Sequence, residues 1–208
     1  IRFLYSYPEG ITDELIDLVA SNNKIAKYFD IPIQHISDKI LKRMNRRTSK
    51  KDVKNLIEKI RNKIPDVTLR TSLIVGFPDE NNDDFEELYK FVEETKFDKL
   101  GTFMYSKEDG TPAAKLPNQI HGNTKKSRYN KIMKKQKEKL KQILENKVGK
   151  NYTVLIENMT FDKKYLIGRT MQDVPDIDGV VYIKNNSENS QNMLNKFVKC
   201  DIIDISDY

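Results

Sequence analysis

Few residue types in this chain can do chemistry. Its 208 residues include two histidines, His35 and His121, and one cysteine, Cys200. A lone thiol cannot close an intrachain disulfide, and it cannot supply the several thiolates of a cysteine-ligated metal cluster. No nucleophile stands beside a base at a catalytic spacing. The chemical promise lies in Gln34-His35, in Arg43, Arg46 and Arg47, and in Arg70-Thr71-Ser72-Leu73-Ile74-Val75-Gly76-Phe77-Pro78. These arginines are ordinarily surface charges, and one just past a short helix at a barrel mouth can instead pair with a ligand carboxylate. Gln34 alone suits a helix cap as well as it suits a ligand contact. In the long run, the two-residue period of a strand puts Arg70, Ser72 and Ile74 on one face and Leu69, Thr71, Leu73 and Val75 on the other. The second face suits packing under helices. The first mixes a charge, a hydroxyl and a branched alkyl group, as a ligand-lined interior would. A Gly-Phe-Pro turn then lets backbone approach a ligand closely. A plain strand–turn–helix joint without a ligand explains these residues equally well.

Alternating strand and helix signals position them. Residues 1–5 read as a strand, and Pro8-Glu9-Gly10 turns into a helix capped by Thr12, with Leu15, Leu18 and Val19 as its apolar stripe. Residues 28–34 form the next strand, and Ser37-Asp38 opens a short helix. Ser49 and Asp52 have capping-box spacing ahead of Val53, Leu56, Ile57, Ile60 and Ile64, a helix that Pro65 stops. A strand over 67–75, a helix over 82–95 and a strand over 99–105 complete the pattern. Repeated strand–helix units imply a parallel sheet with right-handed crossovers, and four strands look like half of an α/β barrel. A turn-rich loop and a long helix over 123–147 follow. Short β segments at 152–157, 165–170, 179–184 and 197–205 then suggest a small antiparallel barrel, with a hairpin tip at 185–192.

Charge is divided along the chain. The formal net charge is +6, yet residues 147–208 hold eight Lys and Arg against nine Asp and Glu, a net of −1. Residues 119–146 hold nine Lys and Arg against only Glu138 and Glu145. Such a basic helix meets nucleic acid or simply presents a solvated lysine face. The absence of an apolar run near 20 residues and the single cysteine fit a cytoplasmic protein without a membrane partner. A first residue other than Met, already inside a strand pattern, suggests a piece of something longer.

Three motifs in order then carry a resemblance. Asp30-Ile-Pro-Ile-Gln34-His-Ile-Ser-Asp38-Lys-Ile-Leu-Lys-Arg-Met44-Asn-Arg46, the Arg70–Pro78 run, and Tyr105-Ser-Lys-Glu-Asp-Gly-Thr-Pro-Ala-Ala114 resemble the methylthiotransferase branch of the radical S-adenosylmethionine (SAM) enzymes. The tail resembles a TRAM domain. Within that branch, Asp173-Val-Pro-Asp-Ile-Asp178-Gly-Val-Val-Tyr182 is similar to the enzymes that modify an aspartate of a small-subunit ribosomal protein. The resemblance implies the C-terminal half of a radical SAM partial (β/α) barrel with the start of a linking helix over 1–135, then TRAM over 136–208. It also implies two 4Fe–4S clusters whose ligands, including a CxxxCxxC loop, lie upstream of this chain, and an electron donor. SAM would be cleaved reductively to a deoxyadenosyl radical, which takes a hydrogen from the aspartate β-carbon where a methylthio group is installed.

By the same resemblance Gln34 contacts SAM, Arg46 pairs with its methionyl carboxylate, Ser72 addresses the ribose or methionyl part, Ile74 packs on adenine, and Tyr5 is a further contact. The chain departs from the family turn Gly-Phe-Pro-Gly-Glu-Thr: Asp79 stands for the glycine and Asn81 for the threonine. A left-handed backbone at Asp79 would preserve the turn. Asp173, Asp176 and Asp178 are expected to dock a basic protein substrate, with RNA or the ribosome as further partners. Two alternatives share the residues: a tRNA adenosine methylthiotransferase, or a substrate-binding module without activity of its own. A tRNA-holding TRAM should be basic, and this one is not.

Overall fold

The computed structural model describes residues 1–185 and 190–206. Its first part is a parallel sheet of β1 (Tyr28–Asp30), β2 (Thr68–Val75) and β3 (Lys99–Met104), paired in that order. The helices are α1 (Asp13–Ser21), α2 (Asp38–Arg43), α3 (Lys50–Lys63), α4 (Asn82–Thr95) and α5 (Gly122–Glu145). Their starts follow from capping chemistry. The Thr12 hydroxyl accepts the Leu15 N–H at 3.3 Å, and Ser49 and Asp52 cap α3 reciprocally, as their spacing predicts. Asn81 and Asp84 form a second capping box on α4.

Burial along β2 follows the strand period. Leu69, Thr71, Leu73 and Val75 are buried, while Arg70, Ser72 and Ile74 are half-buried. The buried face packs with Val53, Ile57 and Ile60 of α3 and with Phe85, Leu88 and Val92 of α4. Each such side chain contributes about 1.5–3 kcal/mol by leaving water.

Two expected strands are shorter than their pattern. Residues 1–5 contribute only a single parallel bridge, Phe3 to Phe29. The chain leaves the sheet there because Tyr5 is left-handed (φ 57°), with its N–H and that of Ser6 turned onto Asp30. The strand expected over 28–34 stops at Asp30, where the Thr71 hydroxyl donates to the Ile31 carbonyl at 2.8 Å and Gln34, not Ile33, donates to the Ser72 carbonyl. It resumes as one bridge, Gln34 to Leu73.

The chain divides into two compact units, Ile1–Leu140 and Lys141–Tyr208. The second is an antiparallel sheet of β4 (Asn151–Met159), β5 (Tyr165–Thr170), β6 (Val181–Lys184) and β7 (Phe197–Asp201), ordered β6-β5-β4-β7. Its core is Val154, Ile156 and Leu166, flanked by Val181, Ile183 and Val198. Gly168 is needed there. A Cβ on it would lie 2.5 Å from the Leu155 carbonyl oxygen, beside the register shift between Ile156 and Asn158. The strand expected to run to 205 ends at Asp201. Residues 186–189 of the expected hairpin tip lie outside the described residues.

Candidate functional site

Strand pairing brings a set of unlike side chains onto one face. Arg70 pairs with Asp30 and Lys99, Ser72 with Gly101, and Ile74 with Phe103. Partners in a parallel sheet project to the same side, so this face presents Asp30, Arg70, Ser72, Ile74 and Phe103. Gly101 leaves the place beside Ser72 without a side chain. Phe103 is 60% exposed despite its size.

Gln34 is stitched into the same place. Its N–H donates to the Ser72 carbonyl at 2.9 Å, and its carbonyl accepts the Ile74 N–H at 2.8 Å. With φ at 67° it turns the chain sharply between two predicted ligand residues. Three of the residues singled out in the sequence, Gln34, Ser72 and Ile74, are thus neighbours.

Arg46 and Tyr5 come from other segments, and of the two only Tyr5 has a contact with a strand end. The Arg46 N–H closes the end of α2 on the Leu41 carbonyl at 2.9 Å, and its guanidinium lies 5.1 Å from the Tyr7 ring centroid. Among the described residues no carboxylate pairs with Arg46. Its neighbour Arg43 differs, because its guanidinium is paired with Asp79. Tyr5 is exposed and is tied to β1 by its N–H, which donates to Asp30 Oδ2 at 3.1 Å. Asp30 is buried, and its Oδ1 has no hydrogen-bond partner.

Beside Gly76 and Glu80, the turn after β2 depends on Lys125 and Arg128, which the sequence did not single out for it. Gly76 has φ +73°, and a Cβ there would run into the Lys125 side chain at 2.3 Å. Glu80 is buried beneath the turn. Its Oε2 accepts the N–H groups of Gly76 and Phe77, and its Oε1 lies 3.0 Å from Arg128 Nη1. Burial raises the Glu80 pKa, while Arg128 and the two N–H groups pull it back. Arg128 also donates to the Glu80 carbonyl at 2.9 Å and to Asn82 Oδ1 at 3.2 Å. Lys125 Nζ donates to the Tyr105 carbonyl at 2.8 Å. In sequence Glu80 looks like an ordinary acid at a helix start; what marks it is its reach back to Gly76 and Phe77. Asp79, in the place of the family glycine, is left-handed at φ 70° as expected.

His35 lies under the same turn. Its Nδ1 accepts the Ser37 N–H at 3.0 Å, so the neutral ring carries its proton on Nε2. Nε2 sits 3.9 Å from Glu80 Oε2 and has no hydrogen-bond partner. Burial lowers the His35 pKa to about 4, with Asp84 opposing and Arg128 and Lys39 assisting. The ring is therefore neutral at pH 7, and its approach to Glu80 is not an ion pair. Asp84 accepts from Ser37 Oγ at 2.7 Å and from Lys39 at 2.5 Å. Burial works against its ionisation, yet Lys39, the Asn81 N–H and Ser37 together hold its pKa below the usual value.

In the second unit the three singled-out aspartates differ. Asp173 is buried, its Oδ2 accepting from the Thr170 hydroxyl at 2.6 Å and the Thr170 N–H at 3.3 Å. Asp178 accepts the Val174 N–H at 2.9 Å. Asp176 is exposed, at a left-handed φ of 60°. Two carboxylates thus shape the loop, and one faces solvent.

Comparison with known proteins follows the same division. Residues 1–92 match the model of the radical SAM superfamily, and residues 148–208 match that of the TRAM domain. Over 208 residues the chain is 62% identical to the ribosomal protein uS12 methylthiotransferase RimO of Alkaliphilus oremlandii, all of this chain against 47% of that protein. The proteins of the same name from Geotalea uraniireducens and Acetivibrio thermocellus are 48% and 47% identical, again over all of this chain and over 46% and 45% of theirs. The chain spans about half the length of the curated relatives it matches. A solved structure, the archaeal Methanocaldococcus infernus Elp3 with N-terminus deletion (1-46), matches 64% of this chain and 31% of its own, with a TM-score of 0.47 and 14% identity.

Proposed function

We propose that the chain belongs with the radical SAM methylthiotransferases, and that the whole protein adds a methylthio group to the β-carbon of an aspartate in a small-subunit ribosomal protein. The observation that carries this reading is the open sheet face, where Gln34 is bonded between Ser72 and Ile74. On this reading residues 1–135 hold the SAM-binding part and residues 136–208 the TRAM domain, in a cytoplasmic enzyme supplied by an electron donor.

The residues present fit SAM. Ser72 and Gln34 offer hydrogen bonds to the ribose or methionyl part, while Ile74 offers an apolar contact for adenine. Arg46, which no acid of the described residues neutralises, meets the methionyl carboxylate, and Tyr5 is a further contact at the end of β1. When bound, SAM supplies one-electron chemistry strong enough for an unactivated C–H bond, which no side chain of this chain can supply. A 4Fe–4S cluster does not fit here. Cys200 is the single cysteine, and no group of three His, Cys, Asp or Glu among the described residues is placed to hold a metal. Its ligands are assigned to sequence outside this chain.

For the substrate, the Asp173–Asp178 segment is the docking surface, with Asp176 as its solvent-facing charge. The net charge of −1 over residues 147–208 favours a basic protein over tRNA. The test is mass spectrometry of the ribosomal protein after incubation with the whole protein, SAM and a reductant. A methylthio adduct on one aspartate is expected. An adduct found on tRNA adenosine instead would overturn the assignment.

A further inference from the structure

α5 carries nine Lys and Arg, and the structure sorts seven of them by direction. Those facing α4 and the turn after β2 have partners there: Arg128 with Glu80, Lys131 with Glu86 at 3.8 Å, Lys135 with Glu93 at 2.9 Å, and Lys125 with the Tyr105 carbonyl. Lys126, Asn130, Lys134 and Lys137 recur at helical spacing on the opposite, exposed side. Asn123 and Ser127 line the shallow depression that runs along this side with Lys126, Asn130 and Lys134, and Lys131 borders it while also reaching Glu86. The helix has only two acids, Glu138 and Glu145, and neither interrupts the row from Lys126 to Lys137.

We propose that this outward row of α5 is a binding surface for the phosphate backbone of RNA. The composition selects that partner over the others that basic helices meet. Lysine is depleted at protein–protein interfaces, which favour aromatic residues, Met and Arg, and the exposed positions of this row have none of those, Met133 beside them being half-buried. A membrane-surface helix needs an apolar face to insert beside its cations, and the apolar face of α5 is taken: Ile132 is fully buried. Lysines interleaved with Asn and Ser are the donors that contact phosphate and sugar oxygens without reading base sequence. The surface therefore holds RNA by charge, with little sequence preference, and it does so whether or not the sheet binds SAM.

The test uses the whole protein and a fluorescein-labelled single-stranded RNA of mixed sequence, with affinity measured by anisotropy across a salt series. The variant is K126Q/K134Q/K137Q, whose three positions are exposed, and circular dichroism checks that helix content is retained. Each phosphate neutralised adds about 0.7 to the slope of log affinity against log salt on a single strand, so the triple variant should be shallower by about 2. K163Q/K184Q/K199Q in the second unit should leave the slope unchanged. An unchanged slope in the α5 variant, or an equal loss in the control, would overturn the proposal. Competition by poly-glutamate as effective as by unlabelled RNA would assign the surface to an acidic protein instead. Tighter binding to phosphatidylserine vesicles than to RNA would assign it to a membrane.

Discussion

At the scale of single residues, the strand ends are organised from below by buried groups that hold one another. Glu80 holds the N–H groups of Gly76 and Phe77, Arg128 holds Glu80, and His35 fills the space beside them as a neutral ring. Keeping that ring neutral has a consequence in acid. Its folded pKa, about 4, is below the usual 6.5, so between these values the unfolded chain binds a proton that the folded chain refuses. Stability from this site is therefore complete above pH 6.5 and is lost as pH falls towards 4, by about 3 kcal/mol. The groups facing the ring are Asp84, Arg128, Lys39 and Glu80. Glu80 acts in the opposite sense, because its raised pKa favours the folded state as pH falls. Comparison with His35→Gln isolates the histidine. Denaturant unfolding at pH 7 and pH 4 should show a larger loss in the parent chain than in the variant, and equal losses would refute the assignment. None of this was legible in the sequence. His35 looks like any histidine after a strand, and its burial depends on contacts made dozens of residues away.

At the scale of elements, the local signals were strong wherever local physics decides. The period-two burial of β2 and the Ser49–Asp52 capping box follow directly from residue spacing. Long-range backbone geometry decided the rest. The run over 1–5 has strand composition, yet only Phe3 bridges, because Asp30 draws Tyr5 and Ser6 out of register. The departures from the family turn have structural uses of their own. Asp79 accepts from Asn118 Nδ2 at 2.5 Å and pairs with Arg43, while Asn81 takes the N-cap of α4. Asn81→Ala should cost about 1 kcal/mol in urea unfolding, the usual worth of an N-cap. No loss would mean that Asp84 alone holds the helix start.

At the scale of the whole molecule, charge and site chemistry are distributed rather than concentrated. The basic excess belongs to the first 146 residues, which carry +7 with the acids of α4 already counted, and Lys131 and Lys135 of α5 pair with two of those acids. The three aspartates of the second unit looked alike in sequence, and only the fold shows that two of them shape the loop. The candidate cofactor face was half legible. Strand period joined Ser72 to Ile74, and family resemblance added Gln34 and Arg46. The contributions of Gly101, Phe103 and Asp30 needed the register of neighbouring strands. The most direct measurement is the SAM affinity of the whole protein, with its cluster in place, by equilibrium dialysis before and after Arg46→Ala. Loss of a charge-assisted pair predicts weaker binding by about 1.5–3 kcal/mol, roughly ten- to a hundredfold. Undiminished affinity in the variant would contradict the placement of SAM on this face.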